Sequence, residues 1–428
     1  MLWVKMASLI PKTLRIEIFV QTMFVTPRQI SAKHKTDWVI RLPIPSKAAF
    51  NSQCPGTSRT SCHAKLIYIV AGARPNFMKI APIVRALDKE SQHFKYQIIH
   101  TGQHYDREMS DVFFEELGIP QPDHHLECGG ESHAEQTAKI IVDFEQICCE
   151  QKPACVLVVG DVNSTLACSI VAKKLHMPVA HVEAGLRSGD RTMPEEINRL
   201  VTDSISDWFF CTEPAGVENL SKEGKPPAAI FHVGHVMVDN LIYQSEQLVS
   251  ANTDSFQFTA IKAQTPRYGV VTVHRPSNVD DESTLTGIIS ALNTTSPKLP
   301  LIFPGHPRTR ANLKRFNLTH SSGITLAGPL SYMDFLNLWK DATLVLTDSG
   351  GLQEETTSLG IPCLTLRNNT ERPTTADKGI NTLVGTKPDA IVHEALNILA
   401  GRGRVGKRPV LWDGRAAERT VQHLMEVL

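Results

Sequence analysis

Hydrophobic and polar positions follow a strand–helix–strand rhythm along most of the chain, and the rhythm is clearest near the middle. Val156–Val159 is a short apolar run that ends just before Asp161, and a segment with helical spacing follows at about Ser164–His176. Pro178–Val182 predicts the next strand, which ends at Glu183. Strands joined through one helix run parallel, so their carboxyl ends meet at one sheet edge, where open α/β sheets bind ligands.

The same rhythm occurs in both halves of the chain. In the first half the other predicted strands are Leu66–Val70, Tyr96–His100, Trp208–Cys211 and Ala229–Val233. After a polar, non-periodic segment the pattern restarts, with strands at Tyr268–Val273, Leu299–Phe303, Gly323–Leu326, Thr343–Leu346 and Ile361–Leu366. Alternating strands and helices predict an α/β fold of two Rossmann-like, doubly wound parallel-sheet domains that face a cleft.

The pattern divides the chain into an extension at 1–64, a first domain at 65–249, a linker at 250–266, a second domain at 267–411 and a closing helical segment at 412–428. The extension lacks strand or helix periodicity, and we predict that it is disordered or dispensable. Up to residue 60 it carries nine Lys/Arg and two acidic residues, so a targeting segment is the alternative.

Composition excludes several classes of function. Apolar residues make up 42% and charged residues 21%, which is typical of a soluble globular protein. The net charge is zero, with a mildly acidic body after the extension, so we expect no nucleic-acid partner. No apolar run reaches membrane-spanning length. The nine cysteines form no C-x-x-C pair, which favours a reducing, cytoplasmic location and predicts no metal site.

Three carboxylates in the first domain are the candidates for chemistry. Asp161 and Glu183 follow neighbouring strands, and Pro194 predicts a helix start that puts Glu195 in a first turn, so all three can converge on one crevice. Simpler alternatives exist for two of them. Asp161 is also a good helix cap, and Glu195 lies four residues before Arg199, the spacing of a surface ion pair.

The first strand ends in a glycine turn flanked by Arg74 and Lys79, which can meet phosphates; a solvated helix charge is the alternative for Lys79. The turn lacks G-x-G-x-x-G, so it does not support a nicotinamide cofactor. Gln103 and His104 follow the second strand at the same edge. We add Arg187, in the loop after Glu183, as a substrate-binding candidate, although Glu183 can instead hold Arg187 four residues away.

In the second domain, Ser349, Gly350 and Gly351 follow the fourth strand and precede a helix. Glycines allow a ligand to approach the backbone, and helix-start N–H groups attract anions. Candidates nearby are Glu355 for sugar hydroxyls and, from neighbouring strand ends, His306 and Arg372 for a diphosphate. A structural turn explains the glycines alone but not the whole set, which indicates a nucleotide diphosphate.

Eight sequence runs carry a resemblance to a known family. They are GARPNFMKIAPIVRAL, TGQHYD, GDVNST, HVEAGLRSGD, PEEINR, VTVHRPSN, TDSGGLQEE and TERPTT, and the resemblance covers nearly everything from Lys65 to the C-terminus. In sequence and order they resemble the signature runs of non-hydrolysing UDP-N-acetylglucosamine 2-epimerases. The resemblance implies a glycosyltransferase-B architecture, a homodimer, and interconversion of UDP-N-acetylglucosamine and UDP-N-acetylmannosamine without a metal or cofactor.

By motif match, the resemblance implies two groups of residues. Around the chemistry it implies Asp161, Glu183, Glu195 and His274, and around UDP it implies Arg74, His306, Ser349, Gly350, Gly351, Glu355 and Arg372. Tyr105-Asp106 and the short loop at 188–194 depart from the pattern of many bacterial members. The resemblance therefore does not imply that a second substrate molecule activates this protein.

Three other functions remain as alternatives. A hydrolysing epimerase would release UDP and free N-acetylmannosamine, and a glycosyltransferase of the same architecture would need an acceptor. A regulator that binds a UDP-sugar without turnover would not need the three carboxylates.

Overall fold

The structure, a computed structural model, describes residues 64–102, 114–129, 132–250, 256–370 and 372–428. The predicted extension up to residue 63, together with Gln103 and His104, lies outside them. Within the described residues two sheets form, and every strand pair in both is parallel. No helix in this part of the chain combines the length and apolar character needed to cross a bilayer.

The first sheet has the order β3-β2-β1-β4-β5-β6-β7. Its strands are β1 (Lys65–Ala71), β2 (Phe94–His100), β3 (His124–His125), β4 (Cys155–Val159), β5 (Val179–Val182), β6 (Trp208–Cys211) and β7 (Ile230–His232). Its helices are α1 (Arg74–Lys89), α2 (His133–Glu150), α3 (Asn163–Lys174), α4 (Pro194–Ile205), α5 (Pro214–Lys222) and α6 (Val236–Ser250), with a 3-10 turn at Pro227–Ala229. The apolar runs predicted the longer strands because central strands of a covered sheet are buried on both faces, as β4 is throughout.

The second sheet has the order β10-β9-β8-β11-β12-β13. Its strands are β8 (Gly269–Thr272), β9 (Leu301–Pro304), β10 (Ile324–Ala327), β11 (Leu344–Thr347), β12 (Cys363–Thr365) and β13 (Asn381–Leu383). The helices of this half are α7 (Thr259–Gln264), α8 (Pro276–Val279), α9 (Glu282–Thr295), α10 (Pro307–Arg315), α11 (Tyr332–Trp339), α12 (Gly350–Leu359), α13 (Pro373–Asp377) and α14 (Pro388–Leu399).

Strand order reverses direction at one point in each sheet, and these points locate the candidate ligand sites. In the first sheet the chain passes from β1 to β2 on one side, whereas it passes from β4 to β5 on the other side. In the second sheet it passes from β8 to β9 on one side and from β11 to β12 on the other. The loops diverge there and leave a crevice at the carboxyl ends of the strands. Asp161 follows β4, and Ser349 follows β11, so both candidate groups stand at switch points.

The closing helix belongs to the first half of the molecule. Helix α15 (Ala416–Val427) packs against α1 and α6, and Val421 and Leu424 are buried in their shared core. The backbone N–H of Ala417 donates to Oδ2 of Asp239 at 2.7 Å, which caps the helix from outside. The linker also differs from expectation, since α7 forms within a segment whose pattern predicted no element.

Candidate active site

Two of the predicted carboxylates follow adjacent strands of the first sheet. Strands β4 and β5 pair with Val159 beside Val182, so Asp161 and Glu183 leave the same edge. Glu183 has a φ of 72°, a left-handed conformation that costs free energy in a residue with a side chain. Such strain persists where the surroundings impose it, and it marks Glu183 as a residue held in a required position.

Glu183 is almost completely buried and contacts two cations. Its Oε2 pairs with Nζ of Lys79, which follows β1 on helix α1, and its Oε1 accepts from Nη2 of Arg372 at 2.6 Å. Burial alone would raise the pKa of the Glu183 carboxyl, but Lys79 and Arg372 outweigh it and hold that pKa well below its usual range. Lys79 is therefore not a solvated helix charge, and Glu183 carries a persistent negative charge.

Arg372 connects the two halves of the chain. Besides its contact with Glu183 of the first half, its Nε lies 2.6 Å from Oε1 of Glu354 on α12. Glu354 also pairs with Nε2 of His235 at 2.7 Å. Burial opposes ionisation of Glu354, but Arg372 and His235 lower the pKa of its carboxyl. A buried chain of paired side chains thus runs from Lys79 through Glu183, Arg372 and Glu354 to His235, and the sequence analysis identified neither Glu354 nor His235 as part of it.

Asp161 is held by an arginine on helix α4. Oδ2 of Asp161 accepts from Nε of Arg199 at 3.0 Å and from its Nη2 at 2.6 Å. Nη1 of Arg199 donates to Oε2 of Glu196 at 2.8 Å, and Glu196 also accepts from the backbone N–H groups of Ser188 and Gly189. The partners of Arg199 include Asp161 and Glu196, residues that the sequence analysis did not connect with it.

One alternative for a neighbouring side chain needs correction, and two adjacent carboxylates differ in burial. Glu195 is exposed at the start of α4, whereas the adjacent Glu196 is buried. Arg187 pairs with Oδ2 of Asp203 at 2.7 Å and with Glu223 at 2.8 Å, so the alternative that Glu183 holds Arg187 is wrong. Glu183 instead uses partners that the sequence places far away.

In the second half, Asp348 organises the end of β11 and the start of the loop after β8. Its carboxylate accepts from the backbone N–H groups of His274 and Arg275 and from Nδ2 of Asn278. Nδ1 of His274 lies 3.1 Å from Oδ1 of Asp348, so Nδ1 donates to that carboxylate. The rings of His274 and His306 are 6.0 Å apart between centroids, which brings two predicted site residues together.

The glycine pair lies where helix α12 begins. Ser349 is its N-cap residue, and Gly350 and Gly351 form its first turn. A Cβ on Gly350 would meet no atom of the described residues within 4 Å, apart from its own neighbours. The backbone N–H groups of this helix start therefore border open space that an anionic ligand can enter.

Glu355, the neighbour of Glu354, has the opposite electrostatics. It is 5% exposed and accepts a hydrogen bond from the Tyr332 hydroxyl at 3.2 Å. Burial, with a smaller effect of the nearby Glu354 charge, raises the pKa of the Glu355 carboxyl to about 8. The group is therefore mainly protonated at neutral pH. Arg74 begins helix α1 at the end of β1; its side chain lies outside what the structure describes.

These features can be compared with known proteins. The sequence profile of UDP-N-acetylglucosamine 2-epimerase matches residues 85–425. A UDP-N-acetylglucosamine 2-epimerase of Methanocaldococcus jannaschii is 41% identical over 362 residues, which cover 83% of this chain and 98% of the relative. This chain belongs to the UDP-N-acetylglucosamine 2-epimerase family.

Members of this family supply a solved structure and a second named substrate. The crystal structure of the M. jannaschii UDP-N-acetylglucosamine 2-epimerase in complex with UDP-N-acetylglucosamine and UDP has a TM-score of 0.75 and 40% identity, covering 84% of this chain and 99% of that one. A UDP-2,3-diacetamido-2,3-dideoxy-D-glucuronate 2-epimerase of Pseudomonas aeruginosa is 39% identical over 368 residues, 84% of this chain and 99% of the relative. The predicted family and the two-domain glycosyltransferase-B fold are confirmed.

Proposed function

We propose that this protein interconverts UDP-N-acetylglucosamine and UDP-N-acetylmannosamine by eliminating UDP and adding it back through a glycal, without net hydrolysis. The observation that carries the proposal is the ion pair between Arg372 and Glu183. It brings a cation from the second half of the chain, which has the open helix start at Gly350, to the carboxylate edge of the first half. A UDP-sugar bound at that helix start would place its sugar beside the carboxylates.

The second half offers the groups that a diphosphate requires. Helix-start N–H groups at Ser349 and Gly350 favour negative charge, and the exposed His306 stands at the start of a neighbouring helix. Arg372 adds a planar guanidinium suited to phosphate oxygens. Together these groups would stabilise UDP both as part of the substrate and as the departing diphosphate.

The chemistry of the reaction explains why carboxylates lie across from the groups that would bind the diphosphate. The acetamido group makes the hydrogen on carbon 2 only weakly acidic, so direct deprotonation is unfavourable at neutral pH. Breaking the bond between carbon 1 and the UDP oxygen develops positive charge at carbon 1. A base then removes the carbon-2 proton, and its electron pair forms the double bond of the glycal. Addition of UDP at carbon 1 and of a proton on the opposite face of carbon 2 completes the inversion.

The carboxylates suit different parts of this reaction. Glu183 is a weak base because Lys79 and Arg372 hold its pKa low, so we assign it an electrostatic and positioning role. Asp161 and Glu195 are the proton-transfer groups of the proposal, with His274 as a further group in or beside the chemistry. Closure of the two domains around the glycal would keep water away and so prevent hydrolysis.

Proton NMR of the purified protein with UDP-N-acetylglucosamine and no acceptor tests this proposal. We expect UDP-N-acetylmannosamine to accumulate to an equilibrium while the total UDP-sugar stays constant. Free N-acetylmannosamine with stoichiometric UDP would indicate a hydrolysing enzyme. The absence of any reaction would refute the epimerase assignment and return the glycosyltransferase and the regulator as candidates.

A second candidate substrate has a specific observation in its favour. The P. aeruginosa relative is almost as similar as the M. jannaschii one, at 39% against 41% identity. UDP-2,3-diacetamido-2,3-dideoxy-D-glucuronate should therefore be assayed in parallel, and the larger kcat/KM identifies the substrate. We also propose that the protein is a homodimer, which light scattering on a sizing column tests by the mass of the eluting species.

A further inference from the structure

Beneath the strand ends that carry Asp161 and Glu183 lies a buried pair of ionisable residues that do not face the cleft chemistry. His181 lies on β5 and Asp203 lies on α4, and both side chains are 0% exposed. Nδ1 of His181 lies 2.6 Å from Oδ1 of Asp203. Burying two such groups is costly unless their remaining atoms make specific contacts. Those contacts indicate what the pair does.

The second ring nitrogen of His181 reaches the strand end that carries Asp161. Nε2 of His181 lies 2.9 Å from the carbonyl oxygen of Gly160, and because a carbonyl can only accept, Nε2 donates. Gly160 has a φ of 68°, and Nδ2 of Asn198 donates to the carbonyl oxygen of Asp161 at 2.9 Å. Two buried donors therefore fix the consecutive carbonyls of the turn from which the Asp161 side chain projects.

The second oxygen of Asp203 reaches the turn that carries Glu183. Oδ2 of Asp203 accepts from the backbone N–H of Gly185 at 3.0 Å and from Nη1 of Arg187 at 2.7 Å. Glu183 has a φ of 72°, which is costly for a residue with a side chain, so this turn needs external support. Burial raises the pKa of the Asp203 carboxyl, but His181 and Arg187 outweigh it and lower that pKa, which keeps the carboxylate charged.

We propose that His181 and Asp203 position Asp161 and Glu183 in the epimerase site, His181 by fixing the carbonyl of Gly160 and Asp203 by fixing the backbone N–H of Gly185. The kinetic part of this inference rests on the proposed function. Each residue anchors one of the two strand ends that carry the carboxylates. Because a misplacement of about 1 Å can cost about 100-fold in rate, loss of either anchor should lower kcat.

Two substitutions of His181 separate its two contacts. The amide nitrogen of asparagine overlaps Nδ1 of histidine, so His181→Asn keeps the bond to Asp203 and loses the one to Gly160. The amide nitrogen of glutamine overlaps Nε2, so His181→Gln keeps the bond to Gly160 and loses the one to Asp203. Each variant loses one buried hydrogen bond, and His181→Gln should melt at the lower temperature because the bond that it loses joins the charged Asp203 carboxylate. We expect kcat to fall about 10–100-fold in His181→Asn and clearly less in His181→Gln.

Two substitutions of Asp203 test the other anchor. In Asp203→Asn the amide oxygen still accepts from Gly185, the amide nitrogen stays within hydrogen-bond distance of Nδ1 of His181, and Nε2 of His181 still donates to Gly160. We expect kcat within about threefold of the native value, whereas Asp203→Ala loses these contacts and should lose about 10–100-fold. UDP affinity, measured by calorimetry, should change less than twofold in all four variants, because the second half of the chain binds UDP.

Equal kcat in His181→Asn and His181→Gln would overturn the proposal, as would losses of kcat that simply follow the melting temperature. Crystal structures of these two variants give a readout that needs no turnover. The Asp161 carboxylate should move in His181→Asn and stay in place in His181→Gln, and an unmoved Asp161 in both would equally refute the inference. An inactive native protein would instead refute the proposed function, and the structures would still decide the positioning role.

Discussion

Replacing Glu355 by glutamine should make the protein more stable at alkaline pH, although the change removes a potentially charged side chain. The carboxyl is buried, and its pKa is about 8 in the folded protein against 4.5 for an ordinary glutamate. The folded state therefore holds a proton that the unfolded chain releases. The stability contributed by this proton is fully present below pH 4.5 and is lost as the pH rises through 8.

The magnitude follows from those two pKa values. Between pH 5 and pH 9, ionisation of Glu355 should remove about 4 kcal/mol of folding free energy. Glutamine resembles the protonated acid, and its amide oxygen still accepts from Tyr332, so Glu355→Gln should avoid this loss. Thermal unfolding at one scan rate should give similar melting temperatures at pH 5. At pH 9 the variant should melt roughly 5 °C higher.

The adjacent residue provides a matched control with the opposite sign. Arg372 and His235 lower the pKa of the Glu354 carboxyl, so its contribution to stability is present above the ordinary pKa of 4.5 and is lost as the pH falls through the lower folded value. Glu354→Gln should therefore be destabilised at pH 7, with a difference that narrows in acid. A pH-independent difference for Glu355→Gln, or the same sign for both variants, would refute the electrostatic reasoning.

Further predictions concern the two halves of the site. Arg372→Ala should weaken UDP binding by about 1.5–3 kcal/mol in calorimetric titration, and the affinity of Arg372→Lys should be intermediate. An unchanged affinity in Arg372→Ala would mean that the diphosphate binds elsewhere. Gly350→Val should abolish UDP binding, because the added side chain would occupy the space beside the helix start, and should leave the melting temperature nearly unchanged, because a Cβ there meets no described atom within 4 Å; tight UDP binding by this variant would place the nucleotide away from the helix start. Asp161→Asn and Glu195→Gln should each lower turnover about 10²–10⁴-fold with UDP affinity intact, and native turnover in heavy water should place deuterium on carbon 2. Full activity in both amide variants would contradict their proton-transfer role.

Local sequence was enough to predict the principal strands and what stands at their ends. An apolar run that stops at a glycine or an acidic residue predicts both the strand and the residue at which it ends. Asp161, Glu183 and Ser349 could therefore be assigned to the carboxyl edges of the sheets. The short edge strands β3 and β13 could not, because His124–His125 and Asn381–Leu383 carry no apolar pattern long enough to detect.

Partners could not be predicted in the same way. Glu183 and Arg372 are 189 residues apart, and nothing in either motif specifies the other. Glu195 and Glu196 are neighbours in one helical turn, about 100° apart around the axis, so packing of the whole helix decides which one is buried. His181 lies inside a strand read as apolar, and its role depends on Asp203 of a later helix. These contacts are properties of tertiary packing.

The position of the closing helix has a consequence for how the chain folds during synthesis. Val421 and Leu424 share a core with residues of α1, such as Ile80 and Val84, made more than 330 residues earlier. Each such apolar side chain contributes about 1.5–3 kcal/mol when buried. While the ribosome still holds the last turns of the polypeptide, the half that was translated first lacks one wall of its core. In a nascent chain that stops before Ala416, the hydrophobic core of the first half would therefore be incomplete, although the missing residues lie at the opposite end of the sequence.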